Sequence, residues 1–173
     1  GRGTMAAVTA ASEKVEALVK EHKLDVVVAN RNSPSQCVIS GSKEAVGEAV
    51  AKLKDAGLRA IPLQVGAAFH SPLVASAEKP FKEGLDKMAF QTGKFPVVAN
   101  KSALPYPKKD KEAREILANQ LVSQVNWVGQ VEWLYEQGAR TFVEVGPKNV
   151  LTKLTGAILK GKDHKAIALD ASS

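Results

Sequence analysis

Cysteine is almost missing from this chain: Cys37 is the only one in 173 residues. A single thiol cannot build an internal disulfide framework, and no C-x-x-C metal or redox pair exists. Cys37 lies in the apolar run Gln36–Ser40, the setting of a small buried hydrophobe rather than a reactive thiol. Aromatic residues make up only 5%, and residues 1–66 contain no Phe, Tyr or Trp. That excludes base stacking on strand aromatics, the way RNA-recognition modules work. No apolar run is long enough to span a bilayer and no signal-peptide pattern is present, so a reducing cytoplasm is the expected compartment. The chain also lacks a G-x-S-x-G nucleophile elbow and a glycine-rich phosphate loop. Its three histidines, His22, His70 and His164, show no ligand spacing, and no metal site is expected.

What remains is ordinary for a soluble globular protein: 45% hydrophobic and 24% charged residues. The net charge of +6 favours anionic partners. The basic residues are scattered, with one cluster at Lys108-Lys109 and Lys111, and read as solvated surface rather than a nucleic-acid patch. Gly1 to Thr4 lead directly into the apolar Met5–Val8, the pattern of a piece taken from something longer.

Residues 1–66 read as a duplicated unit. Met5–Val8 is a strand. Ser12 caps a helix with Val15, Leu18 and Val19 on one face. Leu24–Ala29 is a second strand and Arg31-Asn32-Ser33-Pro34 a turn. Gln36–Ser40 is a third strand. Ser42 caps a helix with Ala45, Val46, Ala49, Val50 and Leu53 along one stripe, Gly57 stops it, and Leu58–Val65 returns as a fourth strand. The run VTAASEKVEALVKEHKLDVVV parallels VISGSKEAVGEAVAKLKDAGLRAIPL. The order βαββαβ is that of the ferredoxin-like split βαβ arrangement. That fold hosts many activities, and on these residues alone a small-molecule regulatory module stays open.

Residues 67–173 follow a different pattern. Ser71-Pro72 starts a helix, serine at the cap and proline at the first position. The helix reaches about Met88 with a bend near Pro80. Phe95–Asn100 reads as a strand, 101–110 as a polar loop, and Glu112–Gln137 as a helix broken around Ser123–Trp127. Thr141–Val145 is a strand, Asn149–Leu159 a helix, and Ile167–Leu169 a last strand. Alternating elements suggest an α/β layer, but two or three strands make a thin sheet, so this unit reads as the end of a larger α/β domain.

His22 ends a polar helix face and His164 sits in a lysine-rich tail. His70 stands at the junction of the two units, just before a helix start. The positive end of a helix disfavours a second positive charge, and an uncharged imidazole can accept a proton from a hydroxyl nucleophile. On local context alone, a histidine that merely helps cap the helix is the favoured reading.

Several segments, in order, resemble the family of malonyl-CoA:acyl carrier protein transacylases and the acyltransferase domains of polyketide and polyunsaturated fatty acid synthases. They are Gly3–Val8; Ala29-Asn30-Arg31-Asn32-Ser33-Pro34 with Gln36 and Val38–Gly41; Arg59–Leu63; Ala68-Phe69-His70-Ser71-Pro72-Leu73; Gln120 and Trp127; and Glu144-Val145-Gly146-Pro147 with Val150-Leu151. The resemblance implies a ferredoxin-like small subdomain inserted in an α/β-hydrolase-like large subdomain, with the active site between them. It implies ping-pong transfer of malonyl from coenzyme A, through a serine ester, to the pantetheine thiol of an acyl carrier protein. No tightly bound cofactor is implied; the coenzyme A thioester is a substrate, and membrane and nucleic-acid partners are not expected.

By the same resemblance, His70 is the general base and the backbone carbonyl of Gln120 orients it, in the role that a carboxylate takes elsewhere. Phe69 matches the position that selects malonyl over methylmalonyl, a phenyl ring leaving less room for an α-methyl group. Arg59 matches a basic position near the entrance, and Asn30 and Asn32 match polar residues of the cleft. The family's G-H-S-x-G serine, its carboxylate-binding arginine and its oxyanion-hole glutamine would all precede Gly1. The expectation is a chain with a base and no nucleophile, inactive alone, needing the remainder of the acyltransferase domain or synthase. The competing expectations are a non-catalytic acyltransferase remnant acting as a docking module and, less well matched, an unrelated ferredoxin-like binding protein.

Overall fold

The computed structural model describes residues 3–89, 91 and 93–170; the outermost residues of both expected units lie outside the described residues. The first elements are β1 (Gly3–Thr9), α1 (Ser12–Glu21), β2 (Val26–Ser33), β3 (Gln36–Ser42), α2 (Lys43–Asp55) and β4 (Arg59–Pro62). Together with β5 (Val125–Asn126) they form a five-stranded sheet in the order β4-β1-β3-β2-β5. β1 to β4 pair antiparallel, while β5 joins β2 in parallel.

Side-chain alternation divides this sheet. Ala6, Val8, Val28, Cys37, Ile39 and Ala60 point to the face covered by α1 and α2, where Val15, Val46, Ala49, Val50 and Leu53 complete a dry core. Met5, Ala29 and Val38 point to the other face and pack beneath Leu63 and Val65. Cys37 is fully buried in the helix-side core, and burial pushes its thiol up to about 12.

Local chemistry explains most boundaries. Ser42 caps α2, its Oγ accepting from Ala45 N at 3.0 Å, and Gly57 takes the left-handed φ of +76° beyond the helix end. Ser12 differs from expectation. Ala11 holds the cap position, and Ser12 is the first helical residue, with its hydroxyl donated to Glu13. The expected turn at Arg31–Pro34 shrinks to Pro34-Ser35, because β2 runs on through Ser33 and pairs with Gln36.

The second part holds a six-residue 3-10 turn (Pro72–Ala77), α3 (Glu78–Asp86), α4 (Asp110–Ala118), a 3-10 turn at Asn119–Leu121, then β5 and α5 (Trp127–Glu136). It ends with β6 (Thr141–Pro147), α6 (Val150–Ile158) and β7 (Lys165–Asp170). The single broken helix expected over Glu112–Gln137 is two helices with a strand between them. Pairing of Val125 and Asn126 with β2 overrides the local helical period there, and Asn126 caps α5 by accepting from Gly129 N at 3.0 Å. Gly129 is required at that cap, since a Cβ would fall 2.5 Å from Asn126 Nδ2.

Phe95–Asn100 is not a strand but one isolated bridge, Val98 to Pro105. Pro96, Pro105 and Pro107 have no N–H to extend a ladder, and Phe95 and Val97 stay exposed. β6 and β7 pair in parallel as a sheet of two strands among the described residues, packed on α6.

Candidate active site

The site face of the large sheet is the one opposite α1 and α2. The segment after β4 crosses this face and is seated by a close approach: Ala68 lies against Gly3, where a Cβ would come within 2.5 Å of the Ala68 Cβ. Glycine at position 3 therefore sets how near the Ala68-Phe69-His70 segment comes to β1.

His70 has a left-handed φ of +57°, uncommon for a residue with a side chain. Two successive carbonyls of the Asn119–Leu121 turn hold it there. The His70 backbone N–H donates to Leu121 O at 3.1 Å, and the ring Nδ1 lies 3.1 Å from Gln120 O. A carbonyl oxygen only accepts, so this contact places the proton on Nδ1 and leaves Nε2 with a free lone pair. Both carbonyls follow the C-terminal end of α4, where backbone dipoles favour positive charge.

The neighbouring residues fix the backbone further. Ser71 is buried, its hydroxyl donates to Ala68 O at 2.7 Å, and its oxygen accepts from Leu73 N. Ser71 and Pro72 occupy the expected cap and first positions, but what they start is a short 3-10 turn rather than an α-helix. The macrodipole expected there is correspondingly small, and hydrogen bonds to the Asn119–Leu121 turn are what hold His70. Phe69 is 47% exposed and extends beside it.

Asn30 pairs with Val38 and so shares the site face. Its neighbour Arg31 pairs with Cys37 and turns to the helix side, where it meets Glu13 and Glu16 of α1. Asn32 donates to Gln36 Oε1 at 3.2 Å beside the β2–β3 turn. Arg59 pairs with Thr9 at the other edge of the sheet, on β4. Three strand spacings, about 14 Å, separate β4 from β2, so Arg59 shares the face but not the neighbourhood of Asn30 and Asn32. Of the residues singled out in the sequence, His70 and Gln120 are brought into direct contact.

Periodicity along the chain carries no signal for the strap that joins these parts. Gln124 donates from Nε2 to Val28 O at 2.7 Å, and Asn126 N donates to Asn100 O at 2.9 Å. The first contact ties the turn that holds His70 to the strand that carries Asn30, and the second ties it to the segment that ends at Asn100. Further along, Glu144 accepts from Leu151 N, Thr152 N and Thr152 Oγ1 at the start of α6. The Thr152 hydroxyl, chiefly, holds the Glu144 carboxyl below its ordinary value. Among the described residues no group of three or more His, Cys, Asp or Glu could hold a metal ion, and no helix is long and apolar enough to cross a membrane.

Residues 1–169 match the acyl transferase domain family. The chain belongs to that family. It is 38% identical over 162 residues to one subunit of the polyunsaturated fatty acid synthase of Thraustochytrium, covering 92% of this chain and 6% of that one. It is also 38% identical over 160 residues to malonyl CoA-acyl carrier protein transacylase of Staphylococcus aureus, covering 89% of this chain and 51% of the relative. A solved malonyl transacylase in complex with its type II polyketide acyl carrier protein superimposes with a TM-score of 0.86 at 34% identity. That match covers 97% of this chain and 54% of the solved one. The acyltransferase chain thus spans about half the length of the stand-alone transacylases it matches.

Proposed function

We propose that this chain is the base-bearing part of a malonyl-CoA:acyl carrier protein acyltransferase. The observation that carries this reading is the His70 Nδ1 contact with Gln120 O at 3.1 Å, which leaves Nε2 free to take a proton. Residues 1–66 are the ferredoxin-like small subdomain and residues 67–173 the C-terminal portion of the α/β-hydrolase-like large subdomain. The nucleophilic serine comes from the part of the acyltransferase that relatives carry outside the matched residues.

In this mechanism Nε2 removes the serine hydroxyl proton as the oxygen attacks the malonyl thioester carbonyl. The tetrahedral intermediate collapses, expels the coenzyme A thiolate and receives the proton back from the imidazolium on sulfur. The pantetheine thiol of the carrier protein then gives its proton to the same nitrogen, attacks the serine ester and takes the malonyl group, and the departing serine oxygen recovers that proton from the imidazolium. In this reading Asn30, on the site face of β2, and Asn32, beside the β2–β3 turn, are the polar residues of the cleft. The positive net charge of +6 and Arg59, at the outer strand, suit coenzyme A phosphates and an acidic carrier protein.

The two-stranded parallel sheet supports the same reading. Parallel sheets are covered on both faces, yet Val143, Val145 and Leu169 are exposed, Val145 by 82%. In the intact acyltransferase the remainder of the domain covers them. An imidazole held in a left-handed backbone by two carbonyls favours the catalytic reading over that of a docking module.

The reading is tested by radiolabelled malonyl-CoA and a holo acyl carrier protein. Malonyl transfer is expected when this chain is joined to the remaining acyltransferase segment and not from residues 1–173 alone. Transfer by the 173-residue polypeptide at rates typical of a full acyltransferase would overturn the division of roles. Substrate choice is read with Phe69→Ser in the joined form. The smaller residue opens room for an α-methyl group, a change worth about 1–3 kcal/mol. The ratio of kcat/KM for methylmalonyl- over malonyl-CoA is expected to rise about 10-fold or more; an unchanged ratio removes Phe69 from the specificity pocket.

A further inference from the structure

We propose that Gln124 is a positioning residue for the His70 imidazole, acting through the strap Asn119–Asn126. This rests on the reading of His70 as the base and adds a residue that the resemblance does not supply.

The geometry is a lever with two fastened ends. At one end the carbonyls of Gln120 and Leu121 hold the ring and the backbone of His70, each at 3.1 Å. At the other end Val125 and Asn126 run parallel to Asn30 and Arg31 of β2. That parallel pairing covers only a two-residue strand, too little to fix register by itself. Gln124 extends it by one rung. Its Nε2 reaches Val28 O at 2.7 Å, at the point where β2 shifts register between Val28 and Asn30. The side chain thus spans two features of the site: it is four residues beyond the carbonyl that orients the ring and bonds two residues before Asn30.

The consequence is specific. His70 is not anchored to a carboxylate of fixed position but to a main-chain carbonyl in a 3-10 turn, and the turn is only as well placed as its fastening. Releasing Gln124 lets the turn shift along β2, and the Gln120 carbonyl then loses its alignment with Nδ1. Displacement of a reacting group by about 1 Å can cost as much as 100-fold in rate. Substrate binding groups on β2 are untouched, so the loss falls on kcat rather than KM.

The test uses Gln124→Leu, which keeps the bulk and removes the donor, and Gln124→Glu, an isosteric change that turns the donor into an acceptor facing a carbonyl. In the 173-residue chain, ring 15N shifts of His70 read the tautomer, with His22 and His164 as internal references and His70→Asn for assignment. In the joined acyltransferase, kcat and KM for malonyl-CoA are measured alongside.

The wild type is expected to show the single tautomer protonated at Nδ1. Either variant is expected to show mixed tautomers at His70, unchanged shifts at His22 and His164, a kcat lower by about 10-fold, and a KM within twofold. An unchanged His70 tautomer with unchanged kcat overturns the proposal, as does a loss confined to KM or to thermal stability. If Gln124→Leu does not fold, Gln124→Glu decides by the same readouts. The two levels separate cleanly: a His70→Asn enzyme that keeps its rate overturns the base reading itself, whereas an inactive His70→Asn enzyme beside fully active Gln124 variants overturns only the role of Gln124.

Discussion

Replacing His70 by asparagine in the joined acyltransferase lowers the rate of serine malonylation by about 10²–10⁴-fold, the range that a positioned general base contributes. Asparagine is the informative choice. It tolerates the left-handed φ of +57° that position 70 adopts, so the backbone is not forced out of its seat against the Asn119–Leu121 turn. It cannot take a proton from a hydroxyl. The His70 N–H to Leu121 O bond and the Ser71 hydroxyl bond to Ala68 O belong to atoms the substitution leaves in place. The thermal midpoint is therefore expected to move little while the rate collapses. Rapid-quench measurement of the malonyl-enzyme intermediate checks this. A variant with acylation within 10-fold of wild type would fall below the range for a general base and remove His70 from that role.

The second large effect is on stability. Ile39 is fully buried on β3, facing Ala6 on β1 and Val28 on β2 across the helix side of the sheet. Its neighbours in that row are smaller than itself and fixed by strand pairing, so they cannot collapse into the space that a truncated side chain leaves. Ile39→Ala is expected to cost about 2–5 kcal/mol, and Ile39→Val only about 0.5–1.5 kcal/mol. Urea unfolding followed by far-ultraviolet circular dichroism measures both, through a lower midpoint at constant slope. A cost for Ile39→Ala no larger than that for Ile39→Val would mean that this core does not carry the stability of the sheet.

How far the sequence reaches is clearest at particular elements. The strands and helices of residues 1–66 are legible because each carries its own signal: short contiguous runs of valine and isoleucine, a serine cap at Ser42 and glycine at Gly57. Those are local effects, and local sequence encodes them. The second part is legible less often. Phe95–Asn100 has the composition of a strand but finds only one bridge among the described residues, since a strand is defined by its partner as much as by itself. Ser123–Trp127 has the pattern of an interrupted helix, whereas parallel pairing with β2, nearly a hundred residues earlier, makes a strand of Val125 and Asn126.

The candidate site divides along the same line. The sequence excludes an internal disulfide framework, contains no G-x-S-x-G elbow and offers no aromatic for base stacking in residues 1–66, and its ordered motifs single out His70, Phe69, Gln120, Asn30 and Asn32. Tertiary structure decides everything about how these residues meet. It sets the left-handed backbone at His70, the two carbonyls that grip it, the seat of Ala68 on Gly3, the three strand spacings between Arg59 and β2, and the Gln124 bond to Val28. The physical reason is that each of these is a contact between groups far apart in the chain, often with a main-chain carbonyl as one partner. Every residue carries such a carbonyl, so side-chain chemistry has no letter for it; the family resemblance points to Gln120, and the fold is what brings its carbonyl to the imidazole.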